Sequence, residues 1–148
     1  MQIPLSKYLP FVSAAGAKLE GGSAGSALVN GTTYYVGFGG EEAPFLDIHF
    51  QWDAVIIITS VEVELSCNPD AALNSVVLGE WVKTNLVSAS AALEASSGTV
   101  TALTLSAIAG GTMGGAIWHL ITGSKRGRLK VVVAGTGGSC KAMGHGKA

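Results

Sequence analysis

The chain has 148 residues and a formal net charge of -1, and only 13% of its residues are charged while 48% are hydrophobic. This length suits a single domain with one core, and the near-zero charge excludes nucleic-acid binding through a general positive field. Soluble domains average about 25% charged residues. The surface must therefore be covered largely by small polar and apolar groups, which favours self-association.

Residues 1–31 form a segment rich in glycine, serine and alanine. Such a segment cannot bury enough apolar surface by itself, so we predict a flexible N-terminal arm that a partner or a neighbouring subunit orders. Tyr8 and Phe11 are the apolar side chains that we expect to dock. Pro10 interrupts the apolar stretch, so we expect no cleaved secretory signal. No run in the sequence approaches the ~18 apolar residues that span a membrane, and no membrane association is expected.

Alternation of apolar and polar residues identifies the first strands. Residues 32–38 predict one strand, and residues 45–65 contain two further runs, the first alternating up to Trp52 and the second rich in β-branched residues. Each run is predicted to have one buried and one wet face, with Trp52 in the core. Glu62 and Glu64 share the wet face, where we interpret them as solvated side chains and not as a catalytic pair.

Only Asp53 and Ala54 separate Trp52 from Val55. A crossover helix needs many more residues, which leaves either a tight hairpin or one long strand bent at a bulge. We expect the hairpin, with its two strands paired side by side in one sheet.

Strand patterns return over residues 98–109, 116–121 and 129–134, while residues 89–97 are alanine-rich and fit either a helical turn or a loop. Together these segments predict an all-β protein, an antiparallel β-sandwich or jelly roll of about seven or eight strands with flexible glycine-rich termini. The predicted organisation is an N-terminal arm over residues 1–31, a sandwich domain over residues 32–134 and a mobile or partner-ordered tail over residues 135–148.

Residues that could carry chemistry lack the spacing that chemistry needs. His49, His119 and His145 show no metal-ligand spacing, and no G-x-S-x-G elbow accompanies the serines. Cys67 and Cys140 are too few for a disulfide framework or a zinc site, so we expect free thiols. We therefore predict no catalytic residue, no metal and no cofactor, and a protein that is not an enzyme.

Trp81 lies outside the strand patterns, in the loop sequence GEWV, where with Val82 it could plug one end of the sandwich or remain exposed. An exposed tryptophan there would either anchor an assembly interface or stack on a sugar. The basic cluster at residues 125–130 predicts a second contact surface. The candidate interface residues are Tyr8, Phe11, Trp81, Lys125, Arg126 and Arg128, and Trp81 is also the candidate sugar-stacking residue.

Four features carry a resemblance to a known group of proteins: PFLDIHFQWDAVIIITSVEVE, the GEWV loop, AIWHLI with the following SKRGRLKVVV, and the glycine-rich ends. This layout resembles the small β-sandwich proteins of tailed-bacteriophage particles, of the capsid decoration or cement type, and related head and tail accessory proteins. The resemblance implies a virion protein, made in the host cytoplasm, that binds itself as a trimer or ring and binds a capsid or tail protein. The middle of the chain is also similar to the jelly rolls of carbohydrate-binding modules, which is the alternative.

Overall fold

The structure, a computed structural model, describes residues 6–39, 45–83, 89–94, 98–111, 113–122 and 125–147. Its regular structure is almost entirely strand, arranged in two antiparallel sheets. Among the described residues, no helix is long and apolar enough to cross a membrane.

The two sheets have six and seven strands. Sheet A contains β1 (Ser6–Leu9), β4 (Ser26–Leu28), β6 (Phe45–Trp52), β8 (Ala89–Glu94), β11 (Gly114–Ile121) and β13 (Gly138–Lys147). Sheet B contains β2 (Phe11–Ser13), β3 (Lys18–Leu19), β5 (Thr33–Gly39), β7 (Ile58–Ser66), β9 (Thr99–Val100), β10 (Thr104–Ile108) and β12 (Arg126–Val133). The order in sheet A is β1-β13-β6-β11-β8, with β4 also paired to β13, and the order in sheet B is β3-β2-β5-β12-β7-β10-β9.

Eight strands form the predicted jelly roll. Sheet A contributes β4-β13-β6-β11 and sheet B contributes β5-β12-β7-β10, so consecutive strands from β4 to β7 and from β10 to β13 alternate between the sheets. The all-β sandwich prediction is confirmed. The number of strands exceeds seven or eight because short strands extend both sheets at their edges, and one of them, β8, occupies part of residues 89–97.

The predicted hairpin between β6 and β7 is wrong, because these strands lie in different sheets. The connection 53–57 crosses from one sheet to the other. The Oδ1 atom of Asp53 accepts hydrogen bonds from the backbone N–H groups of Val55 and Ile56 at 3.0 and 3.1 Å, and its Oδ2 atom accepts one from the N–H of Ser139 at 2.9 Å. These bonds turn the chain sharply and fasten the connection to β13.

The flexible termini are also corrected, because the predicted arm contains the short strands β1 to β4 and most of the predicted tail belongs to sheet A. The tail contains β13, which pairs with β6 on one side and with β1 and β4 on the other. Its glycines allow close packing: a Cβ at Gly144 would lie 3.2 Å from Leu9 Cδ1 and 3.6 Å from Ile48 Cδ1. Residues 1–5 of the predicted arm and Ala148 of the predicted tail lie outside the described residues.

The core lies between the two sheets, where alternate side chains of the central strands meet. Its members include Ile48, Phe50 and Trp52 of β6, Val61 and Val63 of β7, Trp118 of β11, and Leu129 and Val131 of β12. The burial of Trp52 and the alternation along β6 are as predicted. Since the inner faces are committed to the core, the outer faces and the loops are the places to look for a functional site.

Substitution of Ala142 by aspartate tests the central position of β13. Ala142 is 1% exposed, so the new carboxylate would be buried without a partner, which is expected to cost about 3–5 kcal/mol of unfolding free energy. Met143→Asp is the matched control on the outer face of the same strand and is expected to cost less than about 1 kcal/mol. Chemical denaturation measures both, and equally small losses would contradict the assignment of β13 to the centre of sheet A.

Candidate functional site

A buried arginine lies on the outer face of sheet B. Arg128 of β12 is 4% exposed. Its Nε donates a hydrogen bond to Glu64 Oε1 at 2.9 Å, and its Nη1 donates to the backbone carbonyls of Leu73 and Ser75 at 2.7 and 2.9 Å. Arg128 and Glu64 are direct partners in the pairing of β12 with β7. The strands therefore position the ion pair, and the guanidinium fastens loop 67–83 to the sheet.

Two aromatic rings contact this guanidinium. Its Cζ lies 4.2 Å from the ring centroid of Tyr35 and 4.6 Å from that of Trp81. Trp81 is only 7% exposed, and its Nε1 donates a hydrogen bond to the carbonyl of Ala72 at 3.1 Å. A desolvated cation on an aromatic face contributes about 2 kcal/mol. We call Arg128 and the three side chains around it, Glu64, Tyr35 and Trp81, the arginine clamp.

Arg126 strengthens the same attachment. Its Nη1 donates hydrogen bonds to the carbonyls of Ala71 and Pro69, the latter at 3.2 Å, and its Cζ lies 5.7 Å from the ring centroid of Trp81. Three of the predicted interface residues, Trp81, Arg126 and Arg128, thus come together. They contact one another and loop 67–83 of the same chain. The predicted exposure of Trp81 is wrong, and its covered ring does not provide a sugar-stacking platform.

The other predicted interface residues lie in three different environments. Phe11 is buried in the core, where its ring packs against Tyr34 and Phe50. Tyr8 is 47% exposed on β1, and Lys125 is half-buried just before β12. The structure leaves Tyr8 and Lys125 accessible to a partner and removes Phe11 from that role.

The loop that the clamp holds has an exposed aliphatic tip. Val76, Val77 and Leu78 are 83%, 66% and 100% exposed, respectively, and Gly79 turns the chain after them with φ +80°. Consecutive exposed aliphatic residues are uncommon unless they form a contact site. We call Val76, Val77 and Leu78 the aliphatic tip. It was missed in the sequence, because three aliphatic residues in a row read equally well as a buried segment.

A polar row crosses the outer face of sheet A. His119 Nδ1 and Asp47 Oδ1 lie 2.8 Å apart, and Ser6 Oγ lies 2.9 Å from His145 Nδ1. The pairing of β13 with β6 places His145 opposite Asp47. In the described part of the chain, no group of three or more His, Cys, Asp or Glu residues is placed to hold a metal ion. The row therefore provides hydrogen-bonded polar surface.

Farther along sheet A, a groove of about 990 Å³ opens on the same outer face. His49 and Gln51 of β6 and Gly115 of β11 line it. Lys141 and Glu94 stand on its two sides, since Lys141 pairs with Gln51 and Glu94 pairs with Gly115. Burial, together with the positive charge of Lys141, lowers the pKa of His49 below its usual value. The imidazole is therefore neutral at pH 7.

The two cysteines are free thiols, as predicted, in opposite environments. Cys67 is exposed, and Cys140 is buried on the inner face of β13. Burial raises the pKa of the Cys140 thiol far above its usual range, and the negative charge of Asp53 raises it further. A thiol in that state is unreactive.

Arg128→Met is expected to release loop 67–83 and to destabilise the protein. The change leaves Glu64 and the carbonyls of the loop without their donor, which costs about 3–5 kcal/mol when a partly buried partner is removed. Denaturation measures the loss, and thermolysin should cut at the aliphatic tip faster than in the wild type. Lys130→Met, two residues along the same face, is the control and should change stability by less than about 1 kcal/mol. A clamp variant as protease-resistant as this control would contradict the role of Arg128.

Thiol labelling should separate the two cysteines. In the folded protein, Ellman's reagent is expected to modify Cys67 alone, because Cys140 is buried and protonated. Cys67→Ser should therefore abolish labelling until denaturant is added, whereas Cys140→Ser should leave the native labelling unchanged. Rapid labelling of the native Cys67→Ser protein would contradict the buried position of β13.

The chain matches no family model, no curated protein and no solved structure. Its function therefore has to be inferred from the fold, the clamped loop and the outer faces of the sheets.

Proposed function

We propose that this protein is a non-enzymatic structural subunit of a viral particle, a capsid decoration or head-tail accessory protein. It binds copies of itself, as a trimer or ring, and a capsid or tail protein, and it resides in the virion after synthesis in the host cytoplasm. The jelly-roll strand order supports this role, because the fold recurs in viral capsid domains. It also recurs in lectins, so a second observation has to carry the proposal.

The aliphatic tip is that observation. A mobile apolar loop loses conformational entropy when it binds, whereas the arginine clamp holds loop 67–83 in place before any partner arrives. Val76, Val77 and Leu78 are accordingly presented as a preorganised contact. The fully buried centre of a protein interface is more apolar than its rim, so exposed aliphatic side chains of this kind suit such a centre.

The charges of the loop favour a protein partner over a membrane. The charged residues of loop 67–83 are Asp70, Glu80 and Lys83. The Nζ atom of Lys83 lies 3.5 Å from Oε1 of Glu62 on β7, so this lysine is paired with a carboxylate. The side chain of Glu80 accepts a hydrogen bond from that of Asn68. Insertion loops for anionic membranes combine apolar residues with free basic ones. The low charged fraction of the whole chain, 13%, similarly supports close contact between subunits.

Replacing Val76, Val77 and Leu78 together by serine tests self-assembly. Burying one such side chain contributes about 1.5–3 kcal/mol, so the triple variant is expected to weaken association by about a thousandfold or more. Analytical ultracentrifugation of the wild type and the variant measures the change. The variant should keep wild-type stability, because the three side chains are exposed.

The matched control is the double variant Val29→Ser, Val55→Ser, which removes exposed aliphatic residues from other loops and should assemble like the wild type. A wild-type protein that stays monomeric at high concentration would contradict self-assembly. Mass spectrometry of purified particles of the encoding virus tests the second half of the proposal, and the absence of the protein from those particles would refute it.

A further inference from the structure

The groove on sheet A depends on one glycine in its floor. A Cβ at Gly115 would lie 3.0 Å from His49 Nε2 and 3.5 Å from Gln51 Cγ, so a larger side chain there would crowd both polar groups. Glycine weakens the interior of a strand and often marks a place where something approaches the backbone closely. The resulting volume of about 990 Å³ lies at the upper end of the range for small-molecule sites, about 300–1,000 Å³.

Two adjacent rows of side chains give this outer face an amphipathic character. Strand register defines a row of two rings, a thioether and an aliphatic side chain, namely Tyr8, Met143, His49 and Ile117, of which His49 and Ile117 line the groove. The next row is polar and consists of Lys141, Gln51, Gly115 and Glu94. The flat C–H face of a pyranose packs against rings and thioethers such as those of the first row. Its hydroxyl groups need the mixture of donors and acceptors that the second row supplies.

The polar groups of the groove divide into scaffold and free groups. Both carboxylate oxygens of Asp53 are occupied by backbone N–H groups, so this residue belongs to the scaffold. Within the part of the chain that the structure describes, the side chains of Gln51 and His49 make no hydrogen bond. These two groups therefore remain available to a ligand.

Of the described residues, one lysine and two carboxylates line the groove, and one of the carboxylates, Asp53, is already bonded to backbone N–H groups. Lys141 stands on one side, where its Nζ makes a long contact of 3.4 Å with the carbonyl of Ser23, and the exposed Glu94 stands on the other. The burial that lowers the pKa of His49 keeps its imidazole uncharged at pH 7. Apart from the bonded Asp53, the groove thus has one positive and one negative side chain with neutral groups between them, which suits an uncharged ligand.

We infer that this groove binds a neutral oligosaccharide laid across sheet A. The sugar rings pack on His49 and Ile117, and their hydroxyl groups exchange hydrogen bonds with Gln51, Lys141 and Glu94. The groove is open to solvent, and its volume of about 990 Å³ has room for more than one sugar ring. This site lies on the opposite side of the sandwich from Trp81 and the aliphatic tip, and it does not rest on the proposed role in particle assembly.

Titration of the full-length protein with neutral oligosaccharides tests the inference. The probes are cellopentaose, maltopentaose, laminaripentaose and the pentamer of N-acetylglucosamine. Calorimetry measures the affinity of each, and amide NMR locates the residues that it contacts. At least one probe is expected to give saturable binding and to shift the amides of Gln51, Gly115 and Lys141. Gln51→Ala should weaken that binding about fivefold to tenfold through the loss of hydrogen bonds.

Gly115→Val should abolish binding, because its methyl groups fill the floor while valine favours strand structure. Lys141→Ala should bind the probe at least about threefold more weakly. Its control is Lys130→Ala, which removes a lysine from the outer face of sheet B and should bind like the wild type. Circular dichroism checks the fold of every variant, and if Gly115→Val does not fold, Gln51→Ala and Lys141→Ala decide.

Several outcomes would overturn the inference. They are no saturable binding of any probe, amide shifts outside the groove, or equal affinity in the groove variants and the control. Blocked pentapeptides are titrated in parallel. If the peptides bind and the oligosaccharides do not, the ligand of the groove is an extended polypeptide and the oligosaccharide inference is wrong. None of these results bears on self-assembly, which ultracentrifugation measures separately.

Discussion

Sheet A depends on β13, the last strand of the chain, which pairs with strands from the N-terminal part of the sequence. β13 lies between β6 on one side and β1 and β4 on the other, and among the described strands β1 and β4 pair with β13 alone. The register joins Ser6 to His145, 139 positions apart. Pairing over such separations has to wait for long loops to close. The jelly roll is therefore completed only when the last strand is in place.

The alternation of successive strands between the sheets creates two outer faces with different properties. On sheet B, loop 67–83 covers part of the face, and Arg128 holds it through the ion pair with Glu64 and the carbonyls of the loop. A buried ion pair is weak support for stability in itself. Its consequence in this protein is positional, because the clamp determines where the aliphatic tip points. The face of sheet A stays open and presents a groove.

Glycine has a structural role in these strands. Gly144 of β13 and Gly115 of β11 both lie within strands, where a side chain would meet neighbouring atoms at 3.2 and 3.0 Å respectively. At the first position the missing side chain lets Leu9 pack closely, and at the second it leaves room for the side chains of His49 and Gln51. Glycine, a residue common in mobile linkers, thus allows close packing at Gly144 and leaves the floor of the groove uncovered at Gly115.

The sequence by itself determined the all-β class and the inward faces of the strands, including the burial of Trp52, because period-2 alternation is a local property. It did not determine which strands pair, since pairing joins residues far apart in the chain. The hairpin after Trp52 and the mobile tail were wrong for that reason. The exposure predicted for Trp81 was wrong because its ring is covered by Arg128, 47 positions later in the chain, which β12 places beneath the loop. Tertiary structure alone decided the clamp and the groove, which are assembled from strands and loops distant in sequence. It also decided the exposure of the aliphatic tip, whose three residues are consecutive but lie on a loop that Arg128 holds in place.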